Sequence, residues 1–113
     1  RFDPHAIVVF HSTDGGPFVD PDGPEPLSVE LADAFVRAAS VFDPSWRTLL
    51  EFTNPAGSLG TWFGLERGRP VLTVEMRPGT SPKEALSMAT AGTLAVMRTL
   101  SRPQSSDQGS SSP

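Results

Sequence analysis

Apolar residues come in a few blocks separated by proline- and glycine-rich stretches, and the spacing inside each block predicts an element. Ala6 to Phe10 (Ala-Ile-Val-Val-Phe) is an unbroken apolar, β-branched run. It predicts a strand buried on both faces of a parallel or mixed sheet. His11 follows at its C-terminal end. Asp14 to Pro26 carries Gly15-Gly16-Pro17, Pro21-Asp22-Gly23-Pro24 and Pro26, turn chemistry that predicts a long surface loop. Leu31, Phe35, Ala38 and Phe42 then recur at helical spacing. They predict an amphipathic helix capped by Ser28, with Glu30 in its first turn, ending near Asp43-Pro44. Leu49 to Thr53 reads as a short strand or a connector, closed by Asn54-Pro55.

The stretch from Gly57 to Met76 reads as a glycine-rich turn, a short helical or irregular segment, a second turn and a strand over Pro70–Met76. In that strand Val71, Thr73 and Glu75 alternate with Leu72, Val74 and Met76. After Pro78-Gly79-Thr80, Ser81-Pro82-Lys83-Glu84 is a helix start: Ser at the cap, Pro in the first turn, Glu three residues on. The helix should run from Pro82 to about Leu100. Leu86, Ala89, Val96, Met97 and Leu100 would form its apolar side, and Gly92 weakens it slightly. From Pro103 no residue is apolar, which predicts a disordered tail.

Composition narrows this picture. A chain of 113 residues with 37% apolar content is one domain at most. Twelve prolines and ten glycines make it loop-rich. No window has 18 consecutive apolar residues, so no membrane span is expected. There is no cysteine, which excludes disulfides and thiolate metal sites. The compartment is read as cytoplasmic, with periplasmic or secreted placement left open. The net charge is −4, with acid concentrated at Asp14, Asp20, Asp22, Glu25, Glu30 and Asp33. That acidic front end reads as a solvated face. The absence of a Lys/Arg run argues against a nucleic-acid partner. The chain opens on Arg1 without a signal sequence, and is read as a trimmed or partial polypeptide.

Two residues carry candidate chemistry. His11 and Glu75 both stand at the carboxyl ends of predicted strands, where ligands gather in open α/β sheets. A carboxylate on an apolar strand is costly to bury unless something pairs with it. Glu75 is therefore either at an exposed strand end, with Arg67, Arg69 or Arg77 as its salt-bridge partner, or held at a site. Trp46 and Trp62 read as core or pocket wall.

Three segments, Pro55-Ala56-Gly57-Ser58-Leu59-Gly60, Glu66-Arg67-Gly68-Arg69-Pro70 and Thr73-Val74-Glu75, occur in this order. Together they resemble the C-terminal part of zinc carboxypeptidases, closest to the bacterial branch that includes murein peptide amidases. The Asp22-Gly23-Pro24 loop is similar to that branch as well. The resemblance implies a three-layer αβα zinc-carboxypeptidase-like mixed sheet, present here as a partial domain over residues 1–102 and followed by the tail 103–113. It implies zinc as cofactor, with His11 as a metal ligand and Glu75 as the catalytic general base. Ser12, Phe52, Ser58, Leu59 and Thr61 fall where the family contacts substrate. The implied partner is a peptide with a free carboxylate, and the implied reaction is hydrolysis of an amide bond in a peptidoglycan-derived peptide.

The chain departs from the family pattern in three places. It has no His-x-x-Glu pair, so two zinc ligands are missing. It lacks the family's upstream arginines that bind the substrate carboxylate. Phe52 stands where digestive members carry a tyrosine, keeping the apolar face and losing the phenolic hydrogen bond. The expectation is a chain inactive by itself, completed by the N-terminal part of the domain or self-associating through an exposed sheet edge. A non-catalytic peptidase-like binding module and a zinc N-acyl-amino-acid deacylase are the alternatives.

Overall fold

A computed structural model describes residues 4–50 and 60–102. The predicted turn at Gly57, the residues 51–53 of the predicted connector and the predicted tail from Pro103 lie outside the described residues. The fold is mixed α/β. A four-stranded mixed sheet has the order β1-β4-β2-β3, where β1 is Ile7–Ser12, β2 Phe18–Asp22, β3 Arg47–Thr48 and β4 Val71–Met76. Strands β1 and β4 run parallel, β2 runs antiparallel to β4, and β3 is parallel to β2.

Strand β4 is the centre of the sheet, and all six of its residues are buried. Its β-branched, alternating sequence suits a strand covered on both faces. The apolar run of β1 was expected in that position, but β1 is an edge strand. Ile7, Val8 and Val9 are half-buried, and Phe10, His11 and Ser12 are exposed. Among the described residues β1 has a strand neighbour on one side only.

The segment predicted as a loop over Asp14–Pro26 contains β2. Phe18, Val19 and Asp20 are buried there, so Asp20 does not belong to a solvated acidic face. Proline masked this strand in the sequence. Strand β3 ends opposite Val19, so among the described residues Pro21 is paired on the β4 side alone. A missing N–H is tolerated at such an edge.

Two helices, α1 (Leu27–Ala39) and α2 (Pro82–Ser101), pack against each other and onto one face of the sheet. That face presents Val8, Phe10, Val19, Leu72, Val74 and Met76. Leu72, Val74, Met76 and Val19 form the core with Leu31, Phe35, Trp46, Met88 and Val96. The π-helical segment Gly60–Glu66 contacts β2 and β4. Gly64 lies against the Asp22 side chain, so the segment covers the opposite sheet face; a Cβ on Gly64 would sit 2.8 Å from that of Asp22.

Helix α1 starts at Leu27, not after a Ser28 cap. Pro26 occupies the cap position without a side-chain hydrogen bond. Ser28 is buried in the first turn, and its hydroxyl donates to the Gly23 carbonyl at 3.3 Å. The helix also stops at Ala39, leaving Val41 and Phe42 exposed in the following turn.

The start of α2 is as predicted. Ser81 Oγ accepts the Glu84 N–H at 3.2 Å and its hydroxyl meets Glu84 Oε1 at 3.2 Å. The buried face of α2 is Met88, Gly92 and Val96, however, and Leu86 and Met97 of the predicted apolar side are exposed. The reason is the close approach of α1. A Cβ on Gly92 would stand 2.5 Å from the Phe35 ring, so the glycine is the notch that admits it. Phe35 packs against Trp46 with the rings tilted and 5.6 Å between their centroids. Trp62, read as core or pocket wall, is exposed and lies under the Arg67 guanidinium.

Candidate active site

Parallel pairing of β1 and β4 puts Ile7 opposite Val71 and continues in step to His11 opposite Glu75. Side chains alternate faces along a strand. His11, Glu75 and Phe18 therefore share one rung on the face away from the two helices, with Val9, Thr73 and Asp20 on the next. The two candidate residues, distant in sequence, meet at the carboxyl ends of adjacent parallel strands.

Their environments differ. The His11 side chain is 59% exposed and that of Glu75 only 8%, with 3.5 Å between His11 Nδ1 and Glu75 Oε2. Glu75 Oε1 is buried and has no hydrogen-bond partner among the described residues. Leaving such an acceptor unsatisfied costs about 1–3 kcal/mol, and more when it is charged. Two of the arginines considered as partners for Glu75 are engaged elsewhere. Arg77 Nη1 pairs with Asp43 Oδ2 at 3.3 Å, and Arg67 lies over the Trp62 ring at 5.6 Å. Glu75 is thus a buried carboxylate with one side open to an exposed imidazole, not a solvent-facing strand end.

Phe18 closes the other flank of Glu75, and the Arg47 guanidinium lies 5.4 Å from the Phe18 ring centroid. On the helix side of the strand ends, a concavity of about 580 Å³ is lined by Phe10, His11, Ser12, Arg77, Leu86 and Ala89, among others, and Glu75 is not part of its wall. Ser12, a predicted substrate contact, lies on its wall. Phe52, Ser58 and Leu59 lie outside the described residues. Thr61 belongs to the π-helical segment by its backbone, and its side chain is outside the described residues.

Phe18 and Asp20 were missed by reading the sequence. Asp20 is 1% exposed beside Thr73, and burial alone lifts the carboxyl of Asp22 above its usual range. The Phe-Val-Asp-Pro-Asp alternation was the available signal, hidden among turn residues. Among the described residues no group of three or more His, Asp and Glu side chains is placed to hold a metal ion. No described helix is long and apolar enough to cross a membrane.

Comparison with family profiles, with characterised proteins and with solved structures returns no match to this chain.

Proposed function

We propose that the chain carries part of the catalytic centre of a zinc-dependent amide hydrolase of the carboxypeptidase type. The supporting observation is the rung that joins an exposed His11 to a buried Glu75 whose Oε1 has no partner among the described residues. A general base must be fixed, shielded and free to accept a proton, and Glu75 meets those requirements. The family resemblance adds the three-layer zinc-carboxypeptidase sheet as the fold and a peptide with a free carboxylate, drawn from peptidoglycan, as the substrate.

The described residues fit two of the required roles. His11 would be one zinc ligand, and the remaining ligands would come from outside the described residues. Zinc, when bound, acts as a Lewis acid that makes water acidic enough to ionise near neutral pH. Glu75 would receive the water proton at Oε1 and hold it until the leaving amine collects it. Phe18, opposite Glu75 on β2, flanks that carboxylate. By the resemblance Ser12 would contact the substrate; it lines the concavity on the helix side of the strand ends together with His11.

The test is Glu75→Gln in the native polypeptide, assayed against peptides with free and amidated carboxyl termini. Turnover of the free-carboxylate peptide should fall by about 10²–10⁴-fold, the usual contribution of a positioned acid–base group. Turnover within a factor of a few of the parent would sink the assignment. A non-catalytic peptide-binding module is the second reading, favoured by the lack of a three-ligand group among the described residues. It predicts that zinc changes neither peptide affinity nor turnover.

A further inference from the structure

The C-terminal halves of α1 and α2 lie side by side and leave a concavity of about 330 Å³ between them. Its floor is made of small side chains, Ala34, Ala38 and Ala95, and its rim of Arg37, Arg98 and Arg102. All three arginines are exposed. Among the described residues none of the three forms an ion pair. The Thr99 hydroxyl, also on the wall, donates to the Ala95 carbonyl at 2.9 Å.

This clustering runs against the composition. The chain has a net charge of −4, yet three arginines line this one hollow. The acids of the two helices lie elsewhere. Glu30 is in the first turn of α1, Glu84 in the first turn of α2, and Asp33 Oδ1 accepts the Thr48 hydroxyl at 2.6 Å. Helix dipoles favour a cation in each last turn, which accounts for Arg37 and Arg98 singly. They do not account for a third arginine facing the same hollow. The terminal carbonyls contribute about half a negative charge per helix, which three full positive charges outweigh.

We propose that this notch binds a small, multiply charged oxyanion of the phosphate class, such as a phosphate ester or a diphosphate. Guanidinium groups present paired donors that match phosphate oxygens bidentately. Arg37 of α1, Arg98 of α2 and Arg102 just past the end of α2 line a hollow whose other walls are the small side chains of Ala34, Ala38 and Ala95, which leave room for a compact anion. The notch lies at the opposite end of α2 from the concavity beside His11. The notch is lined by Ala95, Arg98 and Thr99 of α2 and the concavity beside His11 by Ala85, Leu86 and Ala89, so the two sites share no residue. The proposal does not depend on the zinc reading.

The experiment is a titration of the full 113-residue chain with pyrophosphate, followed by NMR of the backbone amides and arginine Nε–Hε groups. Saturable shifts should concentrate at Arg37, Arg98 and Arg102. Arg98→Met should weaken binding about tenfold or more, and Arg37→Met with Arg98→Met should weaken it further. Arg98→Lys, which keeps the charge and loses the fork, should fall between parent and Arg98→Met. Arg67→Met, remote from the notch, should bind as the parent does. Inorganic phosphate should compete and bind more weakly, in line with its lower charge. Unsaturable shifts spread equally over Arg47, Arg67 and Arg77, or undiminished affinity in the folded double variant, would overturn the proposal.

Discussion

Replacing Glu75 by methionine should make the protein more stable. The side chain is 8% exposed, and Oε1 has no hydrogen-bond partner among the described residues. Relieving one buried, unsatisfied acceptor is worth about 1–3 kcal/mol. Methionine has a similar volume and adapts to irregular space, so little packing strain is added. The substitution also removes the contact to His11. The imidazole is 59% exposed, so screening by water limits that loss to about 1 kcal/mol at most. The balance is a gain of about 1–2 kcal/mol, or a midpoint temperature higher by roughly 4–10 °C in a domain of this size. Urea unfolding of the full chain by circular dichroism measures it, with an unchanged slope showing that the gain belongs to the folded state. Glu75→Gln should leave stability nearly unchanged, because the amide keeps a polar atom at the same buried place. A methionine variant less stable than the parent would refute the reasoning. It would mean that the carboxylate holds the sheet together and is structural.

Gly92→Ala should destabilise the protein despite alanine's better helix propensity. The new Cβ would stand 2.5 Å from a Phe35 ring confined by Trp46, and overpacking of about 1–3 kcal/mol outweighs a propensity gain of about 1 kcal/mol; equal or higher thermal stability would contradict the notch. Asp43 has its carboxyl held below the usual range, first by the Ser45 N–H at 2.9 Å and also by Arg77. A depressed folded-state pKa stabilises above the unfolded value near about 3.9 and loses that contribution as pH falls through the lower folded value. Asp43→Asn should therefore cost a few tenths of a kcal/mol near neutrality, since the pair is solvent-screened, and nothing in strong acid. A cost that persists unchanged at low pH would argue against this origin.

The elements written by local chemistry were legible in the sequence. Ser81, Pro82 and Glu84 define the start of α2, and the alternation from Val71 to Met76 defines β4. What depends on distant neighbours was not. Strand β2 hides behind Pro21, because only the pairing pattern shows that one side of the strand needs no donor there. Leu86 looked like core, yet the approach of Phe35 turns Gly92 inward and rotates Leu86 to the surface. His11 and Glu75 were singled out by residue type and strand position. Their contact needed the ladder register, which no local pattern encodes. The arginine notch was equally hidden, because Arg37 and Arg98 lie on different helices.

Because His11 meets Glu75 through a ladder, the site is stored as a register and not as a local motif. Losing one residue within β1 would bring a neighbour of His11 opposite Glu75 and turn the imidazole toward the helices, since strand side chains alternate with period two. Losing two would restore the face but shift the imidazole along the strand by a full repeat. The connecting stretches carry no such constraint, and loops tolerate insertions at little energetic cost. Over evolutionary time the arrangement should therefore survive large changes in the distance between its two residues along the chain, while the lengths of two six-residue strands stay frozen.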